Sequence, residues 1–134
     1  MRLFALTVAA LCMCTHVSAA DFAAGAKAYD GGRYAKAFAE WSALARQGDI
    51  RAQVAVAGMY CFGEGRPVDN AKAASRYRRA AEAGDPIAQL NYAEMLENGH
   101  GLAHDRAADR RWYSRAADQG NAWAAEQIRR LNLR

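Results

Sequence analysis

Residues 48–119 are one unit written twice. Displaced by 36 residues, Gly48-Asp49 falls on Gly84-Asp85, Ala52-Gln53 on Ala88-Gln89, Met59 on Met95, and Gly63-x-Gly65 on Gly99-x-Gly101. Asp69 likewise falls on Asp105, Tyr77 on Tyr113, and Arg79-Ala80-Ala81 on Arg115-Ala116-Ala117. The copies agree at 14 of 36 positions, among them glycines, small residues and aromatics that set turns and packing. A fixed period of this length marks a repeat array, in which each unit is one supersecondary element stacked on the next. It excludes a single irregular domain.

Each unit reads as two helices. Asp49, after the helix-ending Gly48, is placed to cap a helix by accepting from a free backbone N–H. Ala52, Val56, Met59 and Tyr60 then recur on one face. The run Phe62-Gly63-Glu64-Gly65-Arg66-Pro67 stops that helix, since glycine admits positive φ and proline lacks a donor. Asp69 caps a second helix carrying Ala73, Tyr77, Ala80 and Ala81 inward, and Gly84 ends it. The next copy repeats the plan with Asp85-Pro86 as cap and first-turn proline, Ala88, Tyr92, Met95 and Leu96 inward, the loop Asn98-Gly99-His100-Gly101, and Asp105 as the second cap. Upstream, helices over 22–29 and 34–46 flank Asp30-Gly31-Gly32, with Tyr34 and Trp41 expected to fill the space between them. A last helix over 122–133 restarts the pattern with Ala124 and Ile128 and covers the last apolar face. The domain reading is a leader at 1–19 and a helical repeat domain at 20–134, divided into 20–47, 48–83, 84–119 and 120–134.

The leader is read from Arg2, the apolar run 3–13 and the small residues Val17-Ser18-Ala19. The run is about half the roughly 20 residues a membrane helix needs, so a cleavable signal with export to the periplasm or beyond is expected, cut after Ala19 or Ala20, with no stable membrane insertion afterwards. Cys12 and Cys14 follow large residues, Leu11 and Met13, unlike the small residue that precedes a lipid-modified cysteine. Cleavage leaves Cys61 as the one cysteine and rules out an intramolecular disulfide. Of the 18 basic residues 15 are arginine, but the net charge of +4 is mild and interspersed with acids, which argues against nucleic-acid binding.

Taken together, Ala52-Gln53-x-x-Val56-Ala57-x-Met59-Tyr60, Gly63-x-Gly65, Asp69-x-Ala71-Lys72-Ala73, Tyr77-x-x-Ala80-Ala81, Gly84-Asp85 and the second set through Trp112-Tyr113, Ala116-Ala117 and Gly120 resemble the Sel-1-like repeat family, a branch of the tetratricopeptide-like α-solenoids. Gly25, Gly32, Tyr34, Ala37 and Trp41 stand at the spacing of a tetratricopeptide unit, and 20–47 is similar to the half-repeat that often opens bacterial members. Arg66, Leu96 and Asp109 depart from the family pattern, where valine, tyrosine and alanine are usual. The resemblance implies an all-α, short right-handed solenoid of antiparallel helix hairpins. It also implies a scaffold that binds a protein or peptide on its concave face. Two and a half units are few, so stability is expected to be modest unless the chain pairs as a homodimer or binds a partner.

Groove positions carried over from the related fold are Ala26 and Tyr29, then Arg51, Val54, Gly58 and Cys61, then Ile87, Leu90, Glu94 and Glu97, then Trp123 and Glu126. The apolar floor would be Val54, Ile87, Leu90 and Trp123, with Arg51 and the glutamates at its rim. The same residues also read as inter-hairpin packing with Trp123 plugging the end of the core. Arg76, Arg78, Arg79, Arg106, Arg110, Arg111 and Arg115 read as a patch for a cell-wall component or other anionic surface, or as a solvated face with Arg78–Glu82 and Arg115–Asp118 pairs. His100 and His104 beside Asp105 fall short of the three or four convergent ligands a zinc site needs. Cysteine-rich relatives would imply a β-lactamase-like hydrolase, but they carry a cysteine pair in every repeat where this chain would keep Cys61 alone, and no Ser-x-x-Lys signature or nucleophile–base pair is present, so an enzyme, cofactor or metal is not expected.

Overall fold

The computed structural model describes residues 19–132, which form seven α-helices and no strand. They are α1 (Ala19–Asp30), α2 (Tyr34–Arg46), α3 (Ile50–Phe62), α4 (Asn70–Glu82), α5 (Pro86–Asn98), α6 (Arg106–Asp118) and α7 (Ala122–Asn132). All but Ala19 of the expected leader lies outside the described residues. Each helix packs chiefly against its neighbours in the chain, giving three hairpins and α7 stacked in sequence order, the quasi-one-dimensional contact pattern of a solenoid.

The expected caps are in place. Asp49 accepts from the Ala52 amide at 3.0 Å, Asp69 from Lys72 at 3.0 Å, Asp85 from Ala88 at 2.8 Å, and Asp105 from Ala107 and Ala108 at 3.1 and 3.0 Å. Asn121, one period beyond Asp85, does the same for α7 through the Ala124 amide at 2.9 Å. The second glycine of each Gly-x-Gly has a further reason to recur. A Cβ on Gly65 would lie 2.8 Å from the Tyr34 carbonyl carbon, and one on Gly101 would lie 2.4 Å from the Asn70 carbonyl, so each loop is pressed onto the start of the preceding unit's second helix. Both glycines also hold positive φ, 72° and 75°. The Ala-Gln pairs are explained similarly: buried Gln53 and Gln89 donate to Ala45 O and Ala81 O at 3.4 and 3.2 Å, reaching carbonyls in the last turn of the preceding helix.

One apolar core runs through α1 to α5 around Trp41, Leu44, Val56, Met59, Tyr60 and Tyr77, and a second joins Ala93, Tyr113, Ala116, Ala124 and Leu131. Tyr34 departs from expectation. It stands at the first residue of α2, 37 % exposed, with its ring tilted against Tyr29 at 5.1 Å, so Trp41 and Phe22 do the filling, stacked at 5.4 Å. Arg66 also has a role: its guanidinium lies 3.8 Å over the Phe38 ring and donates to the Tyr60 hydroxyl at 3.1 Å, tying the α3–α4 loop to the first hairpin.

Candidate functional site: the face of the first helices

The first helices of the hairpins, together with α7, form one layer joined by polar and aromatic contacts. Between α1 and α3, Arg51 lies over the Phe22 ring at 4.5 Å, and Tyr29 of α1 donates to both oxygens of Glu64 in the α3–α4 loop at 2.8 and 2.9 Å. From α5 to α7, the Trp123 indole N–H donates to Glu94 at 3.0 Å and Arg130 grips Glu97 at 2.5 and 2.7 Å.

The sequence-derived candidates separate on this frame. Ile87 and Trp123 are 56 % and 57 % exposed, and Trp123 is oriented by Glu94 across the α5–α7 step. Arg51 is exposed and also reaches Asp49 at 3.4 Å. Val54 and Leu90 are half-buried against the first and second cores respectively. Glu97 is turned inward, accepting from the Tyr113 hydroxyl at 2.9 Å as well as from Arg130, and holds α7 to α5. Tyr29 is half-buried, and its hydrogen bond to Glu64 pushes its hydroxyl pKa up.

A cavity of about 220 Å³ opens on this layer between α3 and α5. Cys61 and Phe62 form one wall, Asn91, Glu94 and Asn98 the other, and Tyr77 of α4 contributes from behind. Phe62 is 75 % exposed and Tyr77 only 5 %; burial pushes the Tyr77 hydroxyl up, so it stays neutral at every physiological pH. Burial likewise raises the Cys61 thiol, which keeps it protonated and poorly nucleophilic. The cavity therefore offers apolar surface from Phe62 and Met95 together with two amides, the Glu94 carboxylate and the His100 imidazole. Asn91, Asn98, Phe62 and Tyr77 were missed as site residues; Asn91 and Asn98 share the helical face of Ile87 and Glu94, and that register was the available signal.

Three of the arginines of the opposite layer are engaged within the chain. Arg78 pairs with Glu82 at 2.8 Å, Arg110 donates to Leu131 O at 2.8 Å, and Arg115 lies over the Trp112 ring at 4.5 Å instead of pairing with Asp118. His104 Nδ1 is 3.0 Å from Leu96 O, and no group of three or more metal-ligating side chains occurs among the described residues. None of the described helices is long and apolar enough to cross a membrane.

A scan against family models matches the Sel1 repeat twice, at residues 50–85 and 86–121, which together make up more than half of the chain. The chain belongs to the Sel1 repeat family. Sel1 repeat proteins are generally scaffolds for protein interaction and typically non-catalytic. Among solved structures, a protective antigen present in uropathogenic Escherichia coli strains and displaying an SLR fold superposes with a TM-score of 0.78 at 33 % identity, over 81 % of this chain. This chain spans only 24 % of that antigen. A Sel1 repeat protein from Oxalobacter formigenes superposes with a TM-score of 0.76 at 33 % identity, covering 82 % of this chain and 86 % of that one. The search of curated proteins finds no match.

Proposed function

We propose that this Sel1 repeat protein is an exported, non-enzymatic adaptor that binds a protein or peptide on the face of its first helices. The observation that carries the reading is the pair Ile87 and Trp123. Both are large apolar side chains more than half exposed, and the Trp123 ring is oriented by its hydrogen bond to Glu94, a residue that also lines the α3–α5 cavity. An aromatic anchor held in place by a hydrogen bond loses little freedom on binding, which favours a specific contact. Asn91, Asn98 and Glu94 supply the polar directionality that an extended or helical peptide needs. Export rests on the leader read from residues 1–19.

The test is retention of one protein from cell-envelope extract by the wild type and by Ile87→Asp/Trp123→Ala. Both positions are exposed, so the fold should survive, whereas Leu90 is half-buried and its substitution would confuse binding with stability. Loss of the retained protein with unchanged helical content supports the reading. Retention by both proteins contradicts it. N-terminal sequencing of the envelope form tests export, with a start at Ala20 or Asp21 expected.

A further inference from the structure

From the opposite layer we infer a second site: a cleft between α2 and α4 that binds the phosphate or diphosphate group of a ligand. It encloses about 560 Å³ and is lined by Arg46 at the end of α2, Lys72, Ser75, Arg76 and Arg79 along α4, and Tyr60 of α3 behind them. Four cations line it, as many positive charges as the net charge of the entire chain, and none of the lining residues is acidic. Among the described residues, only Lys72 of the four has an ion-pair partner, Asp69 at 3.8 Å.

Ordinary helix physics does not account for this gathering. Arg46 and Arg79 occupy last turns, where cations favour the helix dipole, but Lys72 lies in the first turn of α4, where a cation is disfavoured. The internal repeat supplies a control. One period on, Arg46 becomes Glu82, Tyr60 becomes Leu96, Lys72 becomes Ala108, Ser75 becomes Arg111 and Arg76 becomes Trp112; of the polar and charged lining only Arg79 keeps its type, as Arg115. The groove between α4 and α6 thus has no counterpart of Arg46, Lys72 or Arg76, so the gathering of four cations is particular to one groove, although Arg79 recurs with the repeat.

Tyr60 organises the cleft. It is 6 % exposed, and Lys72 and Arg76 lie 5.6 and 5.8 Å from its ring centroid, with Arg66 at 4.8 Å. Its hydroxyl accepts from Arg66, leaving its own proton for a ligand. Three guanidinium forks, an ammonium and two hydroxyls match a group carrying at least two negative charges on several oxygens, which a phosphomonoester or diphosphate supplies and a single carboxylate does not. The site lies in the other layer and stands independently of the first-helix reading.

Calorimetric titration of the full chain with pyrophosphate tests it, at low ionic strength and again at physiological salt. Arg76→Gln/Arg79→Gln should weaken binding at least about tenfold, as loss of two charge-assisted contacts requires. Arg46→Gln, on the other helix, should weaken it as well. Arg106→Gln/Arg111→Gln removes the same charge elsewhere and should leave it intact. Vesicles containing phosphatidic acid assign the source: cleft-dependent sedimentation identifies a lipid headgroup, and its absence beside pyrophosphate binding identifies a soluble ester. No pyrophosphate binding, equal loss in the Arg106/Arg111 variant, or citrate binding as tightly as pyrophosphate each overturns the proposal.

Discussion

Replacing Asp109 by alanine should stabilise the protein. Asp109 is on α6, 0 % exposed, and neither carboxylate oxygen has a hydrogen-bond partner. Burial pushes its pKa up and the nearby Glu97 adds to the rise, outweighing the pull of the Arg110 backbone, His104 and Arg106. One period earlier the position is Ala73, also fully buried, so the fold already accommodates a methyl group there. A buried polar group without partners costs about 1–3 kcal/mol. Truncation leaves a cavity of at most about one small group, about 0.5 kcal/mol. The net gain is about 0.5–2.5 kcal/mol at neutral pH, or about 2–10 °C in melting temperature for a domain of this size. The pH dependence follows from the raised pKa. The folded state holds the Asp109 proton more tightly than the unfolded state, so its contribution is fully present below about pH 4 and is lost as pH rises through the folded value. The gap between Asp109→Ala and wild type should therefore widen from about pH 4 to about pH 7. Thermal melts across that range provide the assay. A variant no more stable than wild type at neutral pH, or a gap that ignores pH, would refute the reasoning.

Other substitutions probe other links. Gly101→Ala should cost about 2–4 kcal/mol in urea unfolding, because strain and a backbone clash add, whereas Gly99→Ala, with a similar φ of 69° but nothing closer than 3.7 Å, should cost only about 1 kcal/mol. Glu97→Ala removes the partner of both Arg130 and Tyr113, so hydrogen exchange over 122–132 should accelerate about tenfold while α3 is unchanged. Cys61 should react with a thiol reagent at neutral pH more slowly than free cysteine, and at the normal rate once the chain is unfolded.

Much of the fold was legible because its signals are local. An aspartate ahead of an apolar stripe and a glycine behind it are read within one turn, and the 36-residue period doubles each signal. The Asn121 cap obeys the same period but falls beyond the second copy, where no third copy supports it. Asp109 and Arg66 were visible as departures, yet one is an unpartnered buried carboxylate and the other an aromatic clasp, and the letters do not separate those outcomes. What the sequence could not show is how neighbouring units meet. Glu97 and Glu94 are three residues apart on one helix; only the position of α7 makes one an internal ion-pair partner and the other the rest for an exposed tryptophan. The cation cleft is hidden for the same reason, since Arg46 and Arg76 are 30 residues apart and meet only across the groove between hairpins.

The claim that the first-helix face binds the partner is tested most directly by site-specific photocrosslinking in cells. A photoreactive phenylalanine analogue is placed at Ile87 in one protein and at Arg111, exposed on α6 in the opposite layer, in another. A discrete adduct from position 87 that disappears with Trp123→Ala, and none from position 111, is the expected result. Adducts from position 111 with none from position 87 would contradict it.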